Sequence, residues 1–145
     1  MGKEKDYQKL LEKMLRIEKL GDIIYKSLSS KVKNEDLSLT YERLALNEHK
    51  TAECIEKEIL AVDKNHPILV NGPILSLTKL ICCMLTVKQL TWILKTILKR
   101  KMYSRRYNIY NEKNKDFWCL LLDHEKLQHE LLSPFLGSQK KEVRE

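Results

Sequence analysis

The sequence predicts an all-α protein built from four long helices, and three observations lead to this prediction. Only 4 Gly and 3 Pro occur among 145 residues, too few for the turns of a many-stranded sheet. Leu, Lys and Glu, which favour helices, dominate the composition. Apolar side chains recur at alternating steps of three and four residues, the spacing of one helical face. The length suits a single domain, which we place at residues 1–136, followed by a flexible tail over 137–145.

The first helical hairpin is predicted over the first 62 residues. Helix 1 spans 4–30 and helix 2 spans 36–62, and each carries one continuous apolar face. The polar segment between them contains Asn34 and Asp36, either of which can cap the second helix. Because this turn is short, the two helices are expected to pack antiparallel.

The second hairpin is predicted over residues 74–133. A loop-like segment at 65–73 holds two of the three prolines and forms a longer crossover from the first hairpin. Helix 3 is predicted over 74–111 and helix 4 over 115–133, where Pro134 ends it. Two antiparallel hairpins joined by one longer crossover indicate a four-helix bundle.

A charged residue interrupts the apolar face of each helix at the same level. Helices 2 and 4 align with an offset of 77 residues, which places Glu48 on Glu125. Helices 1 and 3 align with an offset of 82, which places Glu18 on Arg100. A carboxylate buried alone is strongly destabilising unless it is paired, protonated or bound to metal. Three carboxylates at one level therefore predict a shared polar centre in a bundle made of two similar halves.

Three segments resemble helices of the ferritin-like superfamily, in particular rubrerythrin-type domains. They are RIEKLGDIIY in helix 1, LALNEHKTAE in helix 2 and LLLDHEKLQHELL in helix 4. The resemblance implies a ferritin-like four-helix bundle around two iron ions, with one Glu from each of helices 1 and 3 and a Glu-x-x-His pair from each of helices 2 and 4. Glu18, followed seven residues later by Tyr25, matches helix 1 of the family. Glu48 and Glu125 match its Glu positions in helices 2 and 4.

The histidines add one candidate ligand to the three carboxylates that the resemblance implies. His129 lies one helical turn after Glu125 and shares its face, so it can join them in holding a metal. His49 and His124 each lie beside one of the family's Glu positions and are expected to point away from the centre.

The departures from the family pattern change the chemistry that we expect. Thr51 and Gln128 stand where the two ligand histidines are expected, and Arg100 stands where helix 3 would supply its Glu. An arginine stays protonated and cannot bind metal, but its guanidinium pairs well with carboxylates. We therefore expect Arg100 to replace iron as the partner of the carboxylates. The hydrogen bonds of this network would be completed by Thr51, Gln128, Tyr25 and Tyr107.

These features lead to one functional prediction and two alternatives. The prediction is a rubrerythrin-like protein with an incomplete di-iron site, without a cofactor or catalytic residues, that acts in an interaction or structural role. The first alternative is a metal-binding oxidoreductase or iron-handling protein that holds iron or manganese. The second is a basic helical module that binds nucleic acid or an acidic surface. It rests on the net charge of +7 and on segment 99–115, where basic residues and tyrosines interleave.

Helix 3 has more apolar surface than one face of a bundle needs, which predicts a homodimer. Its apolar run is interrupted by lysines and does not predict a membrane span. The four cysteines lack the spacing of a zinc site and the N-terminus is polar. Reduced thiols and a polar start are typical of a cytoplasmic protein.

Overall fold

The computed structural model describes residues 2–68, 72–101 and 103–138, without the side chains of 100, 101 and 136–138. Within these ranges the chain is helical and contains no strand, which confirms the all-α prediction. The helices are α1 (Gly2–Lys31), α2 (Glu35–Val62), α3 (Gly72–Met84), α4 (Val87–Lys101), α5 (Tyr103–Tyr110) and α6 (Lys115–Ser138). None of the described helices is both long and apolar enough to cross a lipid bilayer. The ferritin-like arrangement of four helices stays a prediction.

The helices of the first hairpin begin and end within two residues of the predicted bounds. α1 and α2 pack along each other over most of their length. Of the two candidate caps, Asn34 is the one used, since its side-chain oxygen accepts a hydrogen bond of 3.0 Å from the backbone N–H of Leu37. Asp36 lies in the first turn of α2, where its negative charge complements the helix dipole.

The prediction of one long helix over 74–111 is wrong, because α3 ends at Met84 and α4 begins at Val87. Thr86 and Gln89 form a reciprocal capping box at the start of α4, in which each side chain accepts a hydrogen bond from the backbone N–H of the other. The ammonium group of Lys31 donates to the carbonyl oxygens of Cys83 and Leu85, at the end of α3. The break therefore has its free backbone groups satisfied on both sides.

The prediction that Pro134 ends the last helix is also wrong, since α6 continues to Ser138. A proline inside a helix leaves the carbonyl four residues earlier without its N–H partner, here that of Glu130. The hydroxyl of Ser133 donates a hydrogen bond of 3.2 Å to that carbonyl and replaces the missing donor. Residues 139–145, most of the expected tail, lie outside the described residues.

The described part of the chain has its apolar core in two clusters. One gathers the first half of α1, the second half of α2 and the start of α6 around Trp118. The other gathers the second half of α1, the first half of α2 and parts of α3 and α4 around Leu28. The polar centre lies between the clusters, because Glu18 follows Met14 of the first cluster and precedes Ile23 of the second.

Candidate functional site

Three ionisable side chains from three helices meet between the two apolar clusters. Glu18 of α1 and Glu48 of α2 are 0% exposed, and His124 of α6 is 4% exposed. The Nε2 atom of His124 lies 3.2 Å from Glu18 Oε2 and 3.5 Å from Glu48 Oε1. We call these three residues the carboxylate–histidine centre.

A glycine on α1 makes the room that this centre needs. A Cβ atom added to Gly21 would lie 2.6 Å from Oε2 and 2.9 Å from Cδ of Glu48. These distances are far shorter than any side chain tolerates, so only glycine allows the Glu48 carboxylate to lie against α1. Gly21 is itself buried in the middle of a 30-residue helix, where its conformational freedom is otherwise unfavourable.

Polar neighbours from three helices surround the centre. Thr51 Oγ1 lies 2.8 Å from Nδ1 of His124. Gln128 donates from Nε2 to both Glu48 Oε1 and the hydroxyl oxygen of Tyr25, the latter at 2.8 Å. Thr51, Gln128 and Tyr25 are three of the residues that the sequence predicts for the network, and all three are buried.

Tyr103 completes the centre and was not predicted from the sequence. Its hydroxyl donates a hydrogen bond to Glu18 Oε1, and the residue is 1% exposed. The sequence pattern predicts Tyr107 instead, but Tyr107 is half-buried and packs against the cluster around Trp118.

The electrostatics of the centre favour a charged histidine. Burial by itself lowers the pKa of His124, but its hydrogen bonds to the two carboxylates and their negative charge outweigh burial and raise the pKa to about 9. The imidazolium therefore prevails at neutral pH, and both of its ring nitrogens donate. Burial and the negative charge of Glu18 raise the pKa of Tyr103, so that phenol stays protonated and serves as a donor.

The prediction that His124 points away from the centre is wrong. Buried residues of α6 follow the series Trp118, Leu121, His124, Gln128 and Leu132. These positions advance by three, three, four and four residues, whereas the predicted face with residue 125 advances by three, four, three and four. Both series suit a helix, and neighbouring positions differ by about 100° of rotation. The spacing alone does not separate them.

Glu125 and His129, two further predicted site residues, lie outside the centre. The Glu125 carboxylate accepts hydrogen bonds from the backbone N–H groups of Tyr103, at 3.0 Å, and Ser104, at 3.3 Å. His129 is exposed and lines a cleft of about 270 Å³ between α4 and α6. The side chain of Arg100, predicted to replace iron, lies outside the described residues.

The donor set suits one metal ion and does not suit two. Glu18, Glu48 and His124 offer ligand atoms that all lie within 4.8 Å of one another, and they are the only such group of His, Cys, Asp and Glu among the described residues. Ligands held at about 2.1 Å from one ion lie about 3.0 to 3.4 Å apart in octahedral or tetrahedral geometry. The 3.2 and 3.5 Å separations are close to this range. A di-iron centre needs a Glu from two helices and a Glu-x-x-His pair from two more, which these three residues do not provide.

A second buried network lies beside the apolar cluster around Trp118. Glu58 accepts a hydrogen bond of 3.0 Å from the Tyr7 hydroxyl and one of 2.8 Å from Asn114 Nδ2. Trp118 Nε1 donates to the Tyr7 oxygen at 3.2 Å. All of the polar atoms named here have partners, and the group joins α1, α2 and α6. Its role is to orient helices.

Comparison with known proteins gives no match to this chain, whether the comparison is made with family models, with curated proteins or with solved structures.

Proposed function

We propose that this chain is a rubrerythrin-type, ferritin-like protein in which a protonated histidine has replaced the di-iron centre, and that it works through its surfaces rather than by redox catalysis. One observation carries the proposal. His124 brings its Nε2 atom to 3.2 Å from a carboxylate oxygen of Glu18 and to 3.5 Å from one of Glu48. A cation built into the protein thus lies where the family's pattern has metal.

Further support comes from the donors around the carboxylates. Tyr103 donates to Glu18, and Gln128 donates to Glu48. A buried carboxylate is tolerated when it is paired and accepts hydrogen bonds, and a network whose members are all satisfied also fixes the relative rotation of its helices. The interaction or structural role predicted from the sequence is consistent with such a centre.

The metal content and metal response of the purified protein test this proposal. We expect iron and manganese well below one ion per chain after expression in medium supplemented with both metals, and a thermal midpoint that a chelator leaves unchanged. In contrast, His124→Leu should lower the free energy of unfolding by about 3 to 5 kcal/mol, because it removes a cation that lies within 3.5 Å of two buried carboxylates. The matched control is His129→Leu, at an exposed position on the same helix.

Two results would contradict the proposal. One is about two metal ions per chain together with a midpoint that falls when a chelator is added. The other is a His124→Leu variant that is as stable as His129→Leu.

A second candidate function, binding of a single divalent metal ion, is favoured by the spacing of the ligand atoms within 4.8 Å. Glu18, Glu48 and His124 would hold the ion, which would supply a positive charge in place of the histidine proton. Because that proton competes with the metal, Co²⁺ affinity should rise about tenfold per pH unit below pH 9. Calorimetric titrations at two pH values measure this, and Glu18→Gln should abolish binding whereas His129→Gln should not.

A further inference from the structure

The outer face of α3 is apolar over its whole length. Ile74, Leu77, Ile81 and Met84 advance by three, four and three residues and therefore lie along one face. Their exposed fractions are 61, 57, 48 and 78%, and the neighbouring Leu80 is 60% exposed. Single exposed apolar residues are ordinary, but a row of them on a 13-residue helix marks a surface that binds something.

The opposite face of α3 packs against the rest of the protein. Cys82 is buried and Leu75 is half-buried against the cluster around Leu28. The Lys31 ammonium group of α1 binds the carbonyl of Cys83 at 2.8 Å. α3 is thus fixed to α1 on one side, and no described residue of the chain covers the apolar residues on its other side.

The outer face of α4, the next helix along the chain, has a different chemistry. Lys88, Trp92 and Lys99 advance by four and then seven residues, so they share one face of α4, and all three are exposed. Trp92 is 70% exposed. Leu90 and Leu94 are buried on the inner side of the same helix. The outer face of α4 therefore combines an indole with cations.

The chain segment that contains these two helices is basic and has no acidic residues of its own. Segment 64–111 contains nine Lys and Arg residues and no Asp or Glu. All 20 acidic residues of the chain lie outside this segment, although the whole chain carries a net charge of only +7. The partner of this surface must therefore tolerate or supply negative charge.

We propose that the basic apolar face, made of Ile74, Leu77, Leu80, Ile81 and Met84 of α3 with Lys88, Trp92 and Lys99 of α4, binds the surface of an anionic lipid bilayer. Aliphatic side chains and an indole enter the boundary between headgroups and acyl chains, and lysines beside them bind anionic headgroups. This is the composition of a helix that lies on a membrane, and it is distinct from a helix that spans one.

The same charge pattern disfavours the predicted homodimer through this face. A two-fold interface would place the face against its own copy and bring two segments of nine cations together. Nucleic acid would pair with the lysines but would leave the aliphatic row of α3 exposed to water. The proposal concerns a surface that is separate from the buried carboxylate–histidine centre, so it stands or fails independently of the function proposed above.

Co-sedimentation with vesicles tests the proposal. We expect the full chain to sediment with vesicles of phosphatidylcholine and phosphatidylserine and to stay in solution with phosphatidylcholine alone. Trp92 should report insertion by a blue shift of its emission, since Trp118 is fully buried and gives a constant signal. Lys88→Gln with Lys99→Gln should weaken partitioning about 10- to 30-fold, as expected for two lysines near an anionic surface.

The apolar row is tested by Leu77→Glu with Ile81→Glu, which should abolish sedimentation with vesicles. The matched control is Leu39→Glu with Leu46→Glu on α2, where both leucines are 53% exposed. Circular dichroism verifies that each variant is folded, and the substitutions at exposed positions leave the core intact.

Three outcomes would overturn the proposal. The first is no sedimentation of the unaltered chain with anionic vesicles. The second is equal loss of binding in the α2 control, which would mean that total charge and not this face decides. The third is a dimer, seen by analytical ultracentrifugation without lipid, that the Leu77→Glu and Ile81→Glu changes dissociate, because the face would then be covered by a second copy.

Discussion

Replacing Gly21 by alanine should destabilise the protein, although the same change in an ordinary helix is stabilising. In an unobstructed helix interior, Gly→Ala adds about 1 kcal/mol to the free energy of unfolding. Here the new methyl group would lie 2.6 Å from Glu48 Oε2, so the carboxylate must move. That carboxylate is bound by Gln128 and His124, and the shift weakens charge-assisted hydrogen bonds worth about 1.5 to 3 kcal/mol each.

The net magnitude follows from these opposing contributions. Overpacking in a tight interior costs about 1 to 3 kcal/mol, and loss of one charge-assisted hydrogen bond adds about 1.5 to 3 kcal/mol. After subtraction of the gain of about 1 kcal/mol in helix propensity, we expect Gly21→Ala to lower the free energy of unfolding by about 1.5 to 5 kcal/mol. Urea unfolding followed by circular dichroism at pH 7 measures the difference from the midpoint and slope.

Two controls make the result interpretable. Gly72→Ala, at the first residue of α3, meets no atom within 4 Å and should change stability by less than about 1 kcal/mol. In a Glu48→Ala background the obstacle is gone, so Gly21→Ala should there be stabilising by up to about 1 kcal/mol. If Gly21→Ala raises the stability of the otherwise unaltered chain, Glu48 does not lie against α1 and the description of the centre is wrong.

Two further predictions concern the same centre. The pKa of His124 in the folded protein is about 9, which is above its ordinary value of 6.5. The imidazolium therefore stabilises the fold fully below about pH 6.5. This contribution, about 3 kcal/mol, is lost as the pH rises through 9. Urea unfolding between about pH 6 and pH 9.5 should show that decline in the unaltered chain and in His129→Gln but not in His124→Gln, and an identical slope in all three would refute it. Tyr103→Phe removes the hydroxyl donor of the Glu18 carboxylate and should cost about 1.5 to 3 kcal/mol in thermal or urea unfolding, whereas Tyr107→Phe, whose hydroxyl lies outside the centre, should cost less than about 1 kcal/mol. Equal effects of the two Phe variants would show that Tyr103 has no special role.

The spacing of apolar residues predicts the bounds and the buried face of α1 and α2, but it does not predict the helix bounds in the rest of the chain. In these two helices the pattern predicts the bounds, the buried face and the presence of Glu18 and Glu48 on it, because a continuous face of seven residues has one consistent rotation. The segment after residue 72 is apolar on more than one side, so the pattern does not reveal where α3 ends. The local signal for the start of α4 is the capping box of Thr86 and Gln89.

The carboxylate–histidine centre is likewise predicted from the sequence only in part. The presence of a polar centre follows from the sequence, because carboxylates on an apolar face require partners. The sequence does not reveal which residue of α6 is that partner, since His124 and Glu125 are neighbours and both fit a helical face. Packing of α6 against α2 and α5 selects His124 for the centre and leaves Glu125 to bind the backbone of α5.

The sequence by itself determined that the chain is helical, where its first two helices begin and end, and that a positively charged segment without carboxylates covers residues 64–111. These properties are local, since they depend on helix propensity, capping and a period of three to four residues. Only the tertiary structure decided that His124 and Tyr103 join Glu18 and Glu48, and that the apolar row of α3 lies outward. Both depend on the rotation of one helix against another, which is set by the packing of all the side chains between them rather than by any short segment.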